Sequence, residues 1–246
     1  MAPSLSRRVV AEAVGTAFLL AAVVGSGIMG ERLAAGNAAV ALLANTVATG
    51  AALVALILTF APISGAQFNP AVTGAELFLG RAPRADAAAY VVAQLLGAFA
   101  GVAAAHLMFE LPLFSASRHV RSGAAQAFSE FVATFGLIGV IQCVGRSAPR
   151  FVAFAVGAYI SAAYWFTAST SFANPAVTLA RAASDTFAGI RPRDVPAFLA
   201  AQAAGAAAAT ILFRWLLDSR QVPASSHPEG PRDERPHVQR TVSLHR

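Results

Sequence analysis

The chain has 246 residues, 57% hydrophobic and only 12% charged, with a formal net charge of +6. A soluble domain has about 45–50% apolar and about 25% charged residues. The composition therefore excludes an ordinary soluble enzyme, a nucleic-acid-binding domain and a disordered chain, and points to an integral membrane protein with several spans. The 18 basic residues are all arginine and fall mostly in connections and the tail, so the basic balance is not a nucleic-acid signal. A single cysteine, Cys143, excludes an intramolecular disulfide framework.

A helix needs about 20 apolar residues to cross the ~30 Å hydrocarbon core. The first stretch that qualifies is Val9–Met29, interrupted only by Glu12. Arg7-Arg8 ahead of it imitates a signal peptide, but Glu12 inside the run and the lack of a small-x-small cleavage site favour a retained span. Leu33–Ala75 carries no charge and is too long for one helix. Ala87–Phe109 follows, then Ser122–Gly145 with only Glu130, then the long charge-free Phe151–Ala180, then Val195–Phe213. The sum is six spans, with a surplus long enough for an extra half-helix in two of the stretches. Beyond residue 218 the chain turns polar, and residues 219–246 are expected to be a disordered cytoplasmic tail outside a membrane unit of residues 1–218.

Both surpluses hold the same word, Asn69-Pro70-Ala71-Val72-Thr73 and Asn174-Pro175-Ala176-Val177-Thr178. Proline suits the first helical position, which needs no N–H donor, and the preceding asparagine can cap it. Each surplus therefore reads as an irregular loop that enters a helix shorter than the membrane. Two further words recur in the same order. Glu12 with Thr16 is echoed by Glu130 with Thr134, and Ala93-Gln94-x-x-Gly97-Ala98 by Ala201-Gln202-x-x-Gly205-Ala206. The chain is thus a duplication, with repeats over about 9–109 and 122–217. Three spans per repeat make the second enter the membrane inverted, the plan of many transport proteins with broken helices meeting near the midplane. With both termini inside, twelve arginines fall on the inner side and six on the outer, which favours cytoplasmic termini.

Irregular backbone at membrane depth is tolerated where it is buried in protein or lines a watery cavity, so two such loops imply a pathway. Two half-helix N-termini meeting at mid-membrane make a positive potential that repels cations and passes neutral molecules. Asn69 and Asn174 can each spare an amide N–H for a passing oxygen, and loop carbonyls can act as acceptors.

With these paired boxes the sequence resembles the aquaporin (major intrinsic protein) family, over about Glu12 to Leu217. Ser64-Gly65-Ala66-Gln67-Phe68 before the first box is also close to the family pattern. The resemblance implies an all-α membrane protein: a right-handed bundle of six transmembrane helices with two re-entrant half-helices, assembled as a homotetramer in the bacterial inner membrane with one pore per subunit. It also implies that Glu12 and Glu130 each accept hydrogen bonds from the re-entrant loop of their own half.

One departure bears on selectivity. The family usually has an arginine directly after the second box, where this chain has Val177. Arg181, one turn along the same face, is not expected to bring its guanidinium into the same ring. Counting from the boxes carries the remaining filter positions to Thr49, Ala162 and Ser171. The expected ring of Thr49, Ala162, Ser171 and Val177 has no aromatic and no charge, unlike the water-selective or glycerol-conducting patterns. It predicts a wide filter passing glycerol-like polyols, urea, neutral metalloid species such as arsenous acid, methylated arsenicals, and possible water flow.

Ionisable groups inside a membrane are functional candidates by default, so a proton-coupled carrier using Glu12 or Glu130 stands as the alternative to a passive channel. A non-conducting member is opposed by two intact boxes. No nucleophile–base pair marks an enzyme, and no cluster has metal-site spacing, so neither metal nor cofactor is expected. Cys143 and His106 read as packing residues, and Tyr164 and Trp165 as either interfacial anchors or packing.

Overall fold

The computed structural model describes residues 3–218, and the tail expected over 219–246 lies outside the described residues. Apolar segments rich in alanine and leucine favour helix, and in a bilayer a helix satisfies its own backbone polar groups. The elements are α1 (Leu5–Leu33), α2 (Ala38–Ser64), α3 (Pro70–Phe78), α4 (Arg84–Met108), α5 (Ala124–Ser147), α6 (Val152–Phe166), α7 (Pro175–Arg181) and α8 (Val195–Leu217). Among the described residues there is no strand. The two over-long stretches each divide into a long helix and a half-helix, α2 with α3 and α6 with α7.

Five helices are long and apolar enough to cross a membrane: α1, α2, α4, α5 and α8. The remaining spanning element, α6, has 15 residues and is preceded by a 3-10 turn over Pro149–Phe151. Proline cannot extend the ladder from α5, and Ala148 before it has left the helical region, with φ −151° and ψ 61°. At about 1.5 Å per residue α6 rises about 22 Å, and the 3-10 turn adds about 6 Å. The composite thus approaches the thickness of the hydrocarbon core.

The two halves repeat one packing scheme. In the first, α1 lies against α2 and α4; in the second, α5 lies against α6 and α8. The halves meet where α2 crosses α6 and where each half-helix packs on the last helix of the other half, α3 on α8 and α7 on α4. Large apolar side chains such as Phe18, Leu96, Phe128 and Trp215 point outward, where lipid is the solvent. Two close backbone approaches use the third repeated word. A β-carbon on Gly97 would stand 2.2 Å from the Ala13 carbonyl oxygen, and one on Gly205 2.4 Å from that of Phe131. Small residues at helix crossings let backbones approach in this way. Gly97→Ala and Gly205→Ala are each expected to lower the melting temperature in detergent, because overpacking costs about 1–3 kcal/mol. Unchanged melting of both variants would show that these crossings have slack.

Candidate functional site

Each half-helix begins as its sequence dictates. Asn69 accepts from the Ala71 N–H at 2.9 Å, and Asn174 from the N–H groups of Ala176 and Val177 at 3.0 and 3.3 Å. Proline fills the first helical position in both. The asparagines also spend one amide N–H on each other's loop. Asn69 Nδ2 donates to the Ala173 carbonyl and Asn174 Nδ2 to the Phe68 carbonyl, both at 2.8 Å. The boxes are therefore tied reciprocally across the duplication.

The loops ahead of the boxes are strained in the same places. Gly65, Ala66 and Phe68 have φ of +88°, +49° and +49°; Thr170, Ser171 and Ala173 have +60°, +50° and +48°. Each position lies 105 residues from its counterpart, as the two asparagines do. The left-handed region costs a non-glycine residue about 1–2 kcal/mol, so something must hold these loops. The carboxylates of Glu12 and Glu130, both fully buried, are placed to do so. Glu12 accepts from the N–H groups of Gln67 and Phe68 at 3.0 and 2.7 Å, from Ser64 Oγ at 2.6 Å and from Gln94 Nε2 at 2.9 Å. Glu130 accepts from the N–H groups of Phe172 and Ala173 at 2.8 and 2.9 Å and from Gln202 Nε2 at 2.6 Å. The same glutamines reach the box threonines: Gln94 donates to Thr73 at 3.0 Å and Gln202 to Thr178 at 2.8 Å. All the repeated words thus converge on two equivalent braces.

Between the boxes and the helices runs a cavity of about 110 Å³. On α6 it extends from Val152 to Tyr164, about 18 Å of helix rise. Toward the end of α8 that carries Leu217 it shares Gly65, Gln67, Val72, Ile141 and Val152 with a wider vestibule of about 700 Å³. Much of the lining is apolar, with Leu19, Val23, Leu53, Leu137 and Ile160 among its residues. Asn69, Asn174 and residues of the re-entrant loops complete it. Among the described residues the carbonyls of Ala66, Gln67, Ser171 and Phe172 receive no hydrogen bond.

Thr49, Ser171 and Val177 line this cavity. Ala162 does not: it is exposed on the outer side of α6, while Ile160 and Tyr164 face inward. That expectation is corrected. Counting back from the box fails because the number of residues between α6 and α7 shifts the helical register, and two residues on a helix mean about 200° of rotation. The cavity as a whole is lined by aromatic and charged residues as well. Tyr164 and Phe172 border the cavity, and so does Arg181. Tyr164 donates to Thr49 Oγ1 at 3.3 Å, so it is neither an interfacial anchor nor mere packing. Trp165 is exposed on the lipid-facing side.

The segment 109–123 folds over the far end of this site, with Ser115 and Ser117 N–H groups donating to Ala183 and Ala182. His106 fixes both sides of that cover through Pro112 O at 2.6 Å and Ser184 Oγ at 2.8 Å. Outside the spans, the Arg118 backbone N–H, then its guanidinium, hold the Asp185 carboxyl below the ordinary carboxylate range. Arg121 is a residue that sequence reasoning missed. It is buried and donates to the carbonyls of Gly189, Ser169 and Phe187 and to Thr170 Oγ1. In the first half the carbonyl equivalent to that of Ser169 belongs to Ser64, and the Tyr90 hydroxyl serves it at 2.9 Å. The position equivalent to Tyr90 is Phe198, which has no hydroxyl, so a loop arginine takes over. That missing hydroxyl, Phe198 for Tyr90, is the one signal in the sequence that could have led to Arg121.

The family model described as Major intrinsic protein matches residues 1–150. The chain belongs to the major intrinsic protein family. It is accordingly a multi-pass membrane channel for small solutes and not an enzyme. Among its relatives in that family, "Aquaglyceroporin AqpS" of Rhizobium meliloti (strain 1021) is 55% identical over 226 residues, 92% of this chain and 97% of the relative. A "Probable aquaporin TIP-type" of Medicago truncatula is 33% identical over 191 residues, 72% and 74% of the two chains. The crystal structure of the aquaglyceroporin from Plasmodium falciparum shares the fold, with a TM-score of 0.69 at 21% identity over 89% of this chain and 98% of that one.

The braces give a direct test. Each buried donor left without an acceptor costs about 1–3 kcal/mol. Glu12→Ala and Glu130→Ala are therefore expected to lose the cooperative thermal transition in detergent, while Cys143→Ala melts near wild type. Wild-type melting of either glutamate variant would remove the bracing role.

Proposed function

We propose that the chain is a passive channel of the aquaglyceroporin kind for small uncharged solutes larger than water. The class comprises glycerol-like polyols, urea and neutral metalloid species such as arsenous acid or methylated arsenicals, with water as a co-permeant. The observation that carries this reading is the mixed lining: apolar side chains together with unpaired loop carbonyls and asparagine amides. A molecule with C–H and hydroxyl edges matches both kinds of surface. Val177 supports a wider passage at the second box, because methyl groups stand where the resemblance expects an arginine. The name of the relative from Rhizobium meliloti agrees with this solute class.

The channel unit spans residues 1–218, assembled as a homotetramer in the inner membrane. The arginine distribution supports cytoplasmic termini. Thr49, Ser171 and Val177 contribute to the filter, and the Asn-Pro-Ala boxes hold its middle. Glu12 and Glu130 are not among the residues that line the cavity and accept four and three hydrogen bonds, which argues for bracing against proton coupling.

Stopped-flow flux in proteoliposomes tests the reading. Wild type is expected to pass glycerol and arsenous acid down their gradients with no response to an imposed pH gradient. Val177→Arg is expected to reduce both at least tenfold while water flux persists. Flux of water alone in wild type, or an unaltered Val177→Arg, would assign selectivity to another constriction. Flux driven by a proton gradient would favour the carrier.

A further inference from the structure

Arg181 is the last residue of α7, one turn beyond Val177 on the same face. Side chains on a helix tilt toward its N-terminus and cover the preceding turn. A long side chain at 181 therefore reaches back to the level that Val177 leaves open, and valine is small enough to leave room for it. The geometry agrees. Arg181 is 2% exposed yet borders the cavity, and its guanidinium carbon lies 3.3 Å from the centroid of the Phe172 ring. Its Nε donates to the Ala188 carbonyl, which fixes the head group.

Two features say that this head group has work left to do. Among the described residues neither terminal nitrogen of Arg181 has a hydrogen-bond acceptor, and no carboxylate lines the cavity. A buried charge is normally paired, so the remaining donors are left for what passes through. Ser171 is 3% exposed and lines the same cavity, and its hydroxyl has no hydrogen-bond partner. Arg121, over the same Phe172 ring at 5.0 Å, adds a second positive charge behind the first.

We propose that Arg181 is the specificity-determining charge of this pore, and that its guanidinium and the Ser171 hydroxyl form a polar station that binds the oxygens of neutral solutes and turns back cations. Width and charge are then set by different residues, Val177 and Arg181. The neutral-solute half of this proposal rests on the channel reading above; the cation barrier does not.

Urea and guanidinium are planar and alike in size and differ in charge, so flux of the pair in proteoliposomes isolates the charge effect. Wild type is expected to pass urea and exclude guanidinium. Arg181→Leu and Arg181→Gln are expected to raise guanidinium influx at least tenfold, while Arg181→Lys keeps the exclusion. The double variant Val177→Arg/Arg181→Leu is expected to restore exclusion and to narrow the pore, losing glycerol. Guanidinium exclusion that survives both Arg181→Leu and Arg181→Gln, with melting in detergent near wild type, overturns the proposal. If Leu unfolds the protein, the Gln and Lys pair decides. If wild type passes neither urea nor glycerol, the solute reading fails, and guanidinium influx through the Arg181 variants alone still judges the barrier.

Discussion

The structure depends on two buried carboxylates. Two stretches of backbone stand at membrane depth outside any helix, with several residues in the left-handed region. In hydrocarbon such backbone has no water to satisfy it. Glu12 and Glu130 supply what water would, each accepting from consecutive loop N–H groups. Bonds to an ionised acceptor are roughly twice as strong as neutral ones, and a glutamine from the last helix of each half closes each network. The cost of burying a carboxylate is offset by donors that would otherwise be orphaned themselves. Once the loops are held, their carbonyls are free to face the cavity, and a conducting surface follows from a bracing one.

The division of labour in the pore follows from the same arrangement. Its polar lining is backbone, amide and hydroxyl. Much of the rest is aliphatic. Charge enters the cavity at one place, Arg181, which is held by the face of Phe172 and a carbonyl. Phe172 is the residue whose N–H is braced by Glu130, so the carboxylate that shapes the loop also positions the ring beneath the arginine.

Much of this was legible in the sequence because the chain states it twice. Glutamate, box and glutamine words recur in order, and physical need explains each: a brace, a capped half-helix, a second donor. What was not legible depends on direction more than identity. Ala162 and Tyr164 lie two residues apart, and only the register of α6, set by the turn at Pro149 and the length of the following loop, decides which faces the cavity. Arg181 was visible at the right spacing, but the backward reach of its side chain and the space beside Val177 are three-dimensional facts. Arg121 sat in a connection between spans, where arginines are ordinarily solvated. Its burial follows from a hydroxyl missing on another helix, at Phe198.

The reciprocal bonds between the two asparagines have a consequence for biosynthesis. Asn69 and its acceptor are 104 residues apart, and Asn174 and its acceptor 106. As the chain is made from its N-terminus, the first re-entrant loop is complete long before the second exists. Until then its asparagine lacks the Ala173 acceptor, and contacts within the first half, from Glu12, Gln94 and Tyr90, secure it. The first half must therefore wait in the membrane as a braced but open wedge, and the pore comes into being in one late step, when the inverted second half arrives and each box closes the other.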